Sequence, residues 1–533
     1  MIGKRLTAMI LALGMVVTAV AGCGNAEQSG NNNASDSKSS NASDNGEVSD
    51  NEDDADDDDD EAADITVALM SLAPIDSADS QAVEDKINEI TESEINVHVN
   101  LEWYDGGTYG SQVPMMIQGG DKLDLMMFIP VAATFTSLMG AGQLMDITDL
   151  LDEYGQDIKE VQGDMLVGCS LNGRIYGVGN YGDKAAFQTM LIRTDVLEEV
   201  GRLEDAKNAT SWPEIEDIMK DVTAAGYTGF INNENTGTVL YPNGFLNGSD
   251  QFSENHATDT LGDGYLLVTT DPDTDTVNCK YFTDDFKKMI ERVAKWYNEG
   301  LVYKDAGTAQ DYGDTLLKSD VGVAKVAQTE SGGLATIQAT TGHEFTDIRI
   351  CNKAITTESC TKFGFGIPVT ATEPEAAMKF LNLLYTSQEM ENTLTWGIEG
   401  RDWVLNDEGY ATYPDGVTAE NVQYHTADFL YGNQFLITQW EGSSVTREEQ
   451  KQATADCPLS KYFGFQIDNT GLENTLTACY NVEQQYIATL MSGSAGDNWE
   501  ATLTDFQNAL KAAGIDDLIA AYQEQLDNWL AQQ

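Results

Sequence analysis

Basic residues are scarce in this chain: 29 Lys and Arg stand against 88 Asp and Glu, for a formal net charge of −59. A nucleic-acid partner is thereby excluded, because a phosphate backbone demands a basic face. An anionic ligand is disfavoured for the same reason, since anion receptors usually present arginines or free helix N-termini. Histidine is scarcer still. The four, His98, His256, His343 and His425, are widely scattered and form no HExxH, which argues against a zinc protease. Neither a GxSxG elbow nor a GxxxxGK phosphate loop occurs. Asp271, Asp273 and Asp275 open like an EF-hand loop, but Thr276 replaces the turn glycine and Phe282 the bidentate glutamate, so no metal is assigned. No cofactor is implied. Beyond Cys23, the cysteines at 169, 279, 351, 360, 457 and 479 show no CxxC or metal-type spacing. Six cysteines permit about fifteen full pairings, and no disulfide is assigned. Long apolar runs are absent after the N-terminus: no later stretch supplies the roughly 18 consecutive apolar residues of a spanning helix, so the body of the chain is expected to be soluble.

The first thirty residues carry the strongest local signal. Lys4 and Arg5 form a basic n-region and Leu6–Ala19 an apolar core, which together read as a signal peptide over residues 1–22. The core ends at Val20-Ala21-Gly22-Cys23, a lipobox spacing, which makes Cys23 the expected site of lipidation and the mature N-terminus. The apolar run is shorter than the roughly 20 residues that a transmembrane anchor needs. A diacylated cysteine suffices for stable anchoring. Residues 23–63 then combine a Ser/Asn/Gly stretch with an acidic run, Asp50–Glu61, that has almost nothing apolar to bury. This block reads as a disordered tether spanning roughly 35 Å, lengthened by self-repulsion of the aspartates.

The remainder, about 470 residues, is too long for one core and implies two domains. Ile65–Met70 is an apolar run ahead of a helical pattern with Val83, Ile87 and Ile90 on one face. Ile95, Val97, Val99 and Leu101 alternate as a strand does, Val113–Gln118 reads as helix, and Leu123–Ile129 as a buried strand. Strand starts recur about every 30 residues, the length of a βαβ unit, so the expectation is an α/β fold with a parallel sheet covered on both faces. Ligands then belong at the strands' carboxyl ends, around Trp103–Tyr109 and Phe128–Thr134. A second α/β region follows Gly173, with strands in Arg174–Val178 and Thr189–Val196, and a helix opened by a Ser211/Glu214 capping box with Pro213 in its first turn. Asp284–Asn298 is amphipathic through Phe286, Ile290, Val293 and Trp296, and Asp320–Ala327 reads as a strand. Two helices, Trp499–Ala512 and Asp516–Leu530, close the chain around Gly514 as a C-cap.

These residues resemble a family, the sugar-type (family 1) extracellular solute-binding proteins of bacterial ABC importers, particularly large Gram-positive lipoproteins. The resemblance rests on Gly119–Ile129 (GGDKLDLMMFI), Asn172–Val178 (NGRIYGV), Leu191–Gly201 (LIRTDVLEEVG), Thr210–Val222 (TSWPEIEDIMKDV), Asp320–Ala327 and Phe380–Gly400, in that order behind a lipobox. It covers most of the chain. It implies a two-lobed, periplasmic-binding-protein-like fold of type II, here with extra C-terminal helical elements, closing on ligand about a hinge of several crossings. The crossings are expected near Ile175–Asn180, Lys318–Val321 and Phe365–Val369. That division puts residues 64–176 and 321–366 in one lobe and 177–320 and 367–533 in the other. One departure is visible: a proline often follows the Tyr-Gly of the first crossing, and here Gly179 and Asn180 stand there. The implied protein is a monomeric, lipid-anchored receptor on the extracellular face of the cell membrane. It would pass a solute, an oligosaccharide by family type, to the permease subunits of an ABC transporter. A glycoside hydrolase is the enzymatic alternative, because two carboxylates suffice for it. A receptor for a non-sugar solute such as a peptide is the other alternative.

A sugar presents an apolar C–H face to Trp or Tyr and a rim of hydroxyls to planar polar groups. Segments combining both are Trp103, Tyr104, Asp105 and Tyr109 at a strand end; Asn180, Tyr181 and Asp183 at the first crossing; Trp396, Glu399, Arg401 and Trp403 in one glycine-punctuated loop; and Trp440. Trp212 and Trp296, on helices, are expected to pack instead. No residue is assigned a catalytic role.

Overall fold

The computed structural model describes residues 62–533, apart from 73–74, 131–132, 186, 233–238, 241–248, 255–258, 263–266, 310, 312, 330–332, 353 and 444. The expected signal peptide, Cys23 and the acidic run lie outside the described residues.

Eight strands build the two main sheets: β1 (Ala63–Ser71), β2 (Val97–Asp105), β3 (Leu125–Phe128), β4 (Val178–Gly179), β5 (Phe187–Arg193), β6 (Ala324–Thr329), β7 (Phe345–Asn352) and β8 (Gly364–Gly366). The first sheet runs β2-β1-β3-β8-β4. Its β1 pairs parallel with β2 and β3, as the βαβ spacing requires, but β8 lies antiparallel to both β3 and β4, so the sheet is mixed rather than wholly parallel. Val67–Met70 and all of β3 are buried, as in a sheet covered on both faces. On β2, Val97, Val99 and Leu101 point inward while His98, Asn100 and Glu102 are half-exposed. The free edge of β2 is blunted by helix α1 (Ser77–Ile95): the Asn88 side chain bonds both backbone groups of Val99 (2.7 and 3.0 Å), and Glu84 accepts from Leu101 N–H at 2.7 Å.

Helix α2 (Gly106–Gly119) returns the chain to β3. Just before β3, the fully buried Asp124 accepts from Thr66 N–H (2.9 Å), Thr372 N–H (2.8 Å) and Glu373 N–H (3.0 Å). It thereby ties β1 to the start of helix α3 (Pro374–Leu384), which is followed by α4 (Gln388–Trp396). Buried apolar residues between Ile65 and Val178 and between Phe365 and Tyr431 form one core.

The second sheet is antiparallel, in the order β6-β5-β7. Its core takes residues from Met190 to Cys351 and from Tyr462 to Leu526. Trp212 and Trp296 lie in it 5.4 Å apart, and the Trp296 indole N–H donates to Glu216 at 2.8 Å, so both pack as expected. The segment after Arg193 differs from expectation: Thr194–Glu199 is a short helix, not strand. Ser211 is the N-cap residue of Trp212–Ala224 without a side-chain cap, and Glu214 reaches back to Thr210 N–H at 2.7 Å. The closing helices α5 (Glu473–Met491), α6 (Trp499–Ala513) and α7 (Ile515–Leu530) belong to this core through Leu476, Phe506 and Tyr522, with Gly514 at φ 97° between the last two.

The lobe boundaries therefore differ from the sequence division. Residues 321–352 belong to the second lobe, because β6 and β7 both pair with β5, and residues 367–431 belong to the first, where α3 and α4 fill its core. Lys318–Val321 and Phe365–Val369 lie within lobes. The chain passes between cores at 179–187, at 352–363 and at 457–461. These passages are bonded side by side. Asn180 N–H donates to Phe363 O (2.9 Å), Tyr181 N–H to Gly432 O (2.8 Å), Gln434 N–H to Tyr181 O (2.8 Å) and Ile355 N–H to Pro458 O (2.9 Å). At Gly179, a Cβ would lie 2.1 Å from Cys360 O, so the close backbone contact itself requires glycine at the position where the family pattern departs.

Candidate functional site

The carboxyl ends of β1, β2 and β3 point the same way, and a long segment of the first lobe, 396–440, is laid across them. Tyr431 Oη donates to Met70 O at 3.1 Å, at the end of β1, and Tyr424 Oη to Leu394 O at 2.5 Å. Trp103, near the end of β2, is half-buried with its ring edge-on to Tyr424 (5.8 Å) and Tyr431 (6.4 Å). Its indole N–H is buried and has no partner among the described residues.

His425 follows Tyr424 into a second aromatic group. Its ring lies 4.7 Å from Trp396 and 4.6 Å from Trp440, and Tyr413 lies 4.8 Å from Trp440. Tyr413, His425 and Trp440 keep part of their surface in solvent. Burial pushes the His425 imidazole down to about 4, so at neutral pH the ring is uncharged, and its Nδ1 has no hydrogen-bond partner among the described residues. Uncharged, partly exposed rings of this kind are the sort on which the apolar face of a sugar ring stacks.

Several of the predicted ligand residues have other work. Tyr109 is 0% exposed and its hydroxyl donates to Met127 O at 2.7 Å, which makes it core. Tyr104 lies on the opposite face of β2 from Trp103 and donates to Glu102 at 2.6 Å. Asp105 caps α2, accepting from Gly107 N–H and Thr108 N–H at 3.0 Å each; with the Thr108 hydroxyl, these bonds hold its carboxyl below the usual carboxylate range. Trp396 (3% exposed) and Trp403 (5%) fill a small satellite core with Ala411 and Ile437, and their indoles donate to Thr438 O (2.8 Å) and Gly397 O (3.1 Å). Arg401 is paired with the neighbouring Asp402 at 2.7 Å, while Glu399 is exposed. Thus the Trp396–Trp403 loop is aromatic because it must pack, and Trp440, which packs against the same cluster, is the tryptophan there that stays partly exposed.

At the first crossing, Asn180 donates to Phe429 O at 2.6 Å and accepts from Lys184 Nζ at 2.7 Å, and the buried Asp183 accepts from Ala185 N–H at 3.0 Å. Both shape the crossing. Tyr181 is half-buried with its ring 5.2 Å from Phe435, and burial raises its hydroxyl pKa. Beneath the same crossing lies a carboxyl that sequence reasoning missed. Glu391, on α4, is 0% exposed; Oε1 accepts from Asn433 N–H, and Oε2 has no partner among the described residues. Burial pushes it up to about 8, so it is protonated at neutral pH. His425 and Tyr413 were missed as well, although the aromatic density of Tyr424–Phe435 marks the segment.

Similarity to known proteins agrees with this architecture. Residues 86–399 match the family model described as bacterial extracellular solute-binding protein, and residues 461–531 match a domain of unknown function. A carbohydrate ABC transporter substrate-binding protein of Streptococcus pneumoniae is 23% identical over 463 residues, spanning 83% of this chain and 87% of that protein. The fold is shared with the N-glycan transport solute binding protein of S. pneumoniae (TM-score 0.74, 20% identity, 88% of this chain and 99% of that one). It is shared also with a solute binding protein of Bifidobacterium longum infantis associated with an HMO-binding ABC transporter (TM-score 0.64, 17% identity, 88% and 99%). The family model is one of solute-binding proteins, which speaks against the glycoside hydrolase alternative. With the family model spanning more than half of its residues, the chain belongs to the bacterial extracellular solute-binding proteins.

Proposed function

We propose that this protein captures an oligosaccharide between its lobes and delivers it to the permease of an ABC importer. It acts as a monomer moored through lipid on Cys23 to the outer face of the cytoplasmic membrane, in the Gram-positive manner. The observation that carries the sugar reading is the partly exposed ring group of Tyr413, His425 and Trp440, together with Trp103 near the end of β2, whose buried indole N–H has no partner among the described residues. Carbohydrate is also the solute of the similar S. pneumoniae transporter protein, and N-glycan fragments are bound in the structures of the N-glycan transport protein. The strong negative charge is neutral toward an uncharged ligand. Of the residues expected from sequence, Trp103, Tyr181 and Trp440 remain as ligand contacts, joined by Tyr413 and His425.

The test is calorimetry and thermal shift on soluble protein beginning after Glu61, with Man1GlcNAc, Man5GlcNAc, kestose and human milk oligosaccharides. Saturable stabilisation by one class of glycan is expected, and Trp440→Ala should lose about 1–3 kcal/mol of that affinity. A protein stabilised by none of them but by a peptide mixture would overturn the reading.

A further inference from the structure

The second lobe holds a buried polar side chain that none of the described residues pairs. Phe230 and Ile231 form a short extended segment wedged between Val302 and β6: Phe230 N–H donates to Leu301 O at 2.7 Å and Ile231 N–H to Ala324 O at 2.9 Å. The bridge from Phe230 to Ala324 is parallel, so the chain runs through Asn232 in the direction of β6, toward the end of the sheet from which the crossings leave. Asn232 is 0% exposed. Its carbonyl is used, accepting from Gly313 N–H at 2.9 Å, but neither Oδ1 nor Nδ2 of its side chain has a partner among the described residues. Leaving a buried amide unpaired costs on the order of 1–3 kcal/mol, so the fold alone gives no reason for asparagine rather than leucine here.

The neighbouring charges do not supply that reason. Lys325, beside Ile231 in the register, is nearly buried and paired with Asp314, the residue after Gly313. The pair neutralises itself and leaves the amide as an uncharged group with two donors and an acceptor. That set complements a hydroxyl, or two adjacent ones, and suits neither a carboxylate nor an ammonium ion. The first lobe offers a matching feature in the buried Trp103 indole N–H at the carboxyl end of β2, likewise unpaired among the described residues. In the parallel part of the first lobe's sheet, ligands gather at such strand carboxyl ends.

We infer that Asn232 is the second lobe's hydroxyl-reading residue, kept unsatisfied in the protein so that a neutral polyhydroxylated ligand completes it; the inference rests on the oligosaccharide reading above. Sites built to hydrogen-bond a ligand reject analogues that leave the buried partner unpaired, so Asn232 would act as a specificity determinant.

Two variants test this, with Man1GlcNAc as the first probe and the rest of the panel after it. Asn232→Leu removes the unpaired amide at nearly constant shape: the thermal midpoint of the free protein should hold or rise, while glycan affinity falls by about tenfold or more. Asn232→Asp keeps the shape but gives up the amide's two N–H donors for at most one carboxyl O–H, and should likewise weaken glycan binding at neutral pH. Should the Asn232→Leu variant fail to fold, the Asn232→Asp variant decides alone. A lowered midpoint in Asn232→Leu together with unchanged affinity in Asn232→Asp would assign the amide to the fold and overturn the inference. If wild-type protein binds a glycan and both variants bind it equally, this inference fails and the oligosaccharide reading stands. If wild-type protein binds no glycan, both fall.

Discussion

At the scale of single residues, the same side-chain chemistry serves packing and recognition, and burial separates the two. Trp396 and Trp403 stand in a loop with Glu399 and Arg401 that has the composition of a sugar platform, yet both indole N–H groups are spent on backbone carbonyls and both rings are enclosed. Trp440 carries a weaker local signal and stays partly exposed at the edge of the same cluster, against Trp396, His425 and Tyr413. Nothing within a few residues of any of these positions encodes the difference. Replacing Trp396 by Ala should accordingly act on stability: about 3–5 kcal/mol, from the cavity left among Trp403, Ala411 and Ile437. Urea denaturation of the ligand-free protein measures it. An unchanged midpoint with weakened glycan binding would return Trp396 to the site. Asp105 and Tyr109 teach the same lesson, one as a helix cap and the other as a buried hydroxyl tied to Met127.

At the scale of elements, α4 and the turn at 429–434 act together on the first crossing. The turn bonds Tyr181 from both sides, through Gly432 O and Gln434 N–H, and receives Asn180 at Phe429 O. Glu391 supports that turn from below, so closely that a Cβ at Gly432 would come within 2.3 Å of the carboxyl oxygen. A carboxyl is costly in that place only when ionised. In the unfolded chain Glu391 releases its proton near its ordinary 4.5, whereas in the folded protein it holds it to about 8. Between those values the unfolded state binds fewer protons than the native state, so stability falls as pH rises through the window and the loss is complete above the upper value. Glu391→Gln should remove that slope: little changed near pH 5, and more stable than wild type by about 1–3 kcal/mol near pH 8. Thermal midpoints measured across the range check it; parallel pH profiles for the two proteins would show that Glu391 ionises normally. The strands and helices themselves were largely readable. The alternation of Val97, Val99 and Leu101, the face of Val83, Ile87 and Ile90, and the Gly514 cap all appear where periodicity and backbone sterics place them. The turn on Glu391 was not, because it joins Tyr181 to Asn433, which stand far apart in sequence.

At the scale of the whole molecule, a receptor has to stay near its permease and still move, and the proposed anchor at Cys23 with the acidic stretch after it would meet both needs. Cys23→Ser should release the full-length protein from the membrane fraction into the medium and abolish its labelling by radioactive palmitate. Retention in the membrane fraction would mean that something other than this cysteine holds it. The division into lobes is likewise a property of the whole. Hydrophobic period, cap chemistry and glycine punctuation are local, acting over a few residues, and they were enough to determine the α/β alternation, the leading strands and the closing helices, and through their order the family. The crossings were not local. Whether Ala324–Thr329 joins the sheet of Ala63–Ser71 or that of Phe187–Arg193 depends on which edge has backbone groups to pair, and the answer puts 321–352 in the second lobe and 367–431 in the first. Burial is decided by the same assembly. It encloses Trp396, leaves Trp440 partly exposed and buries the Asn232 amide without a partner among the described residues, because exposure is a relation between distant segments that no single stretch of chain contains.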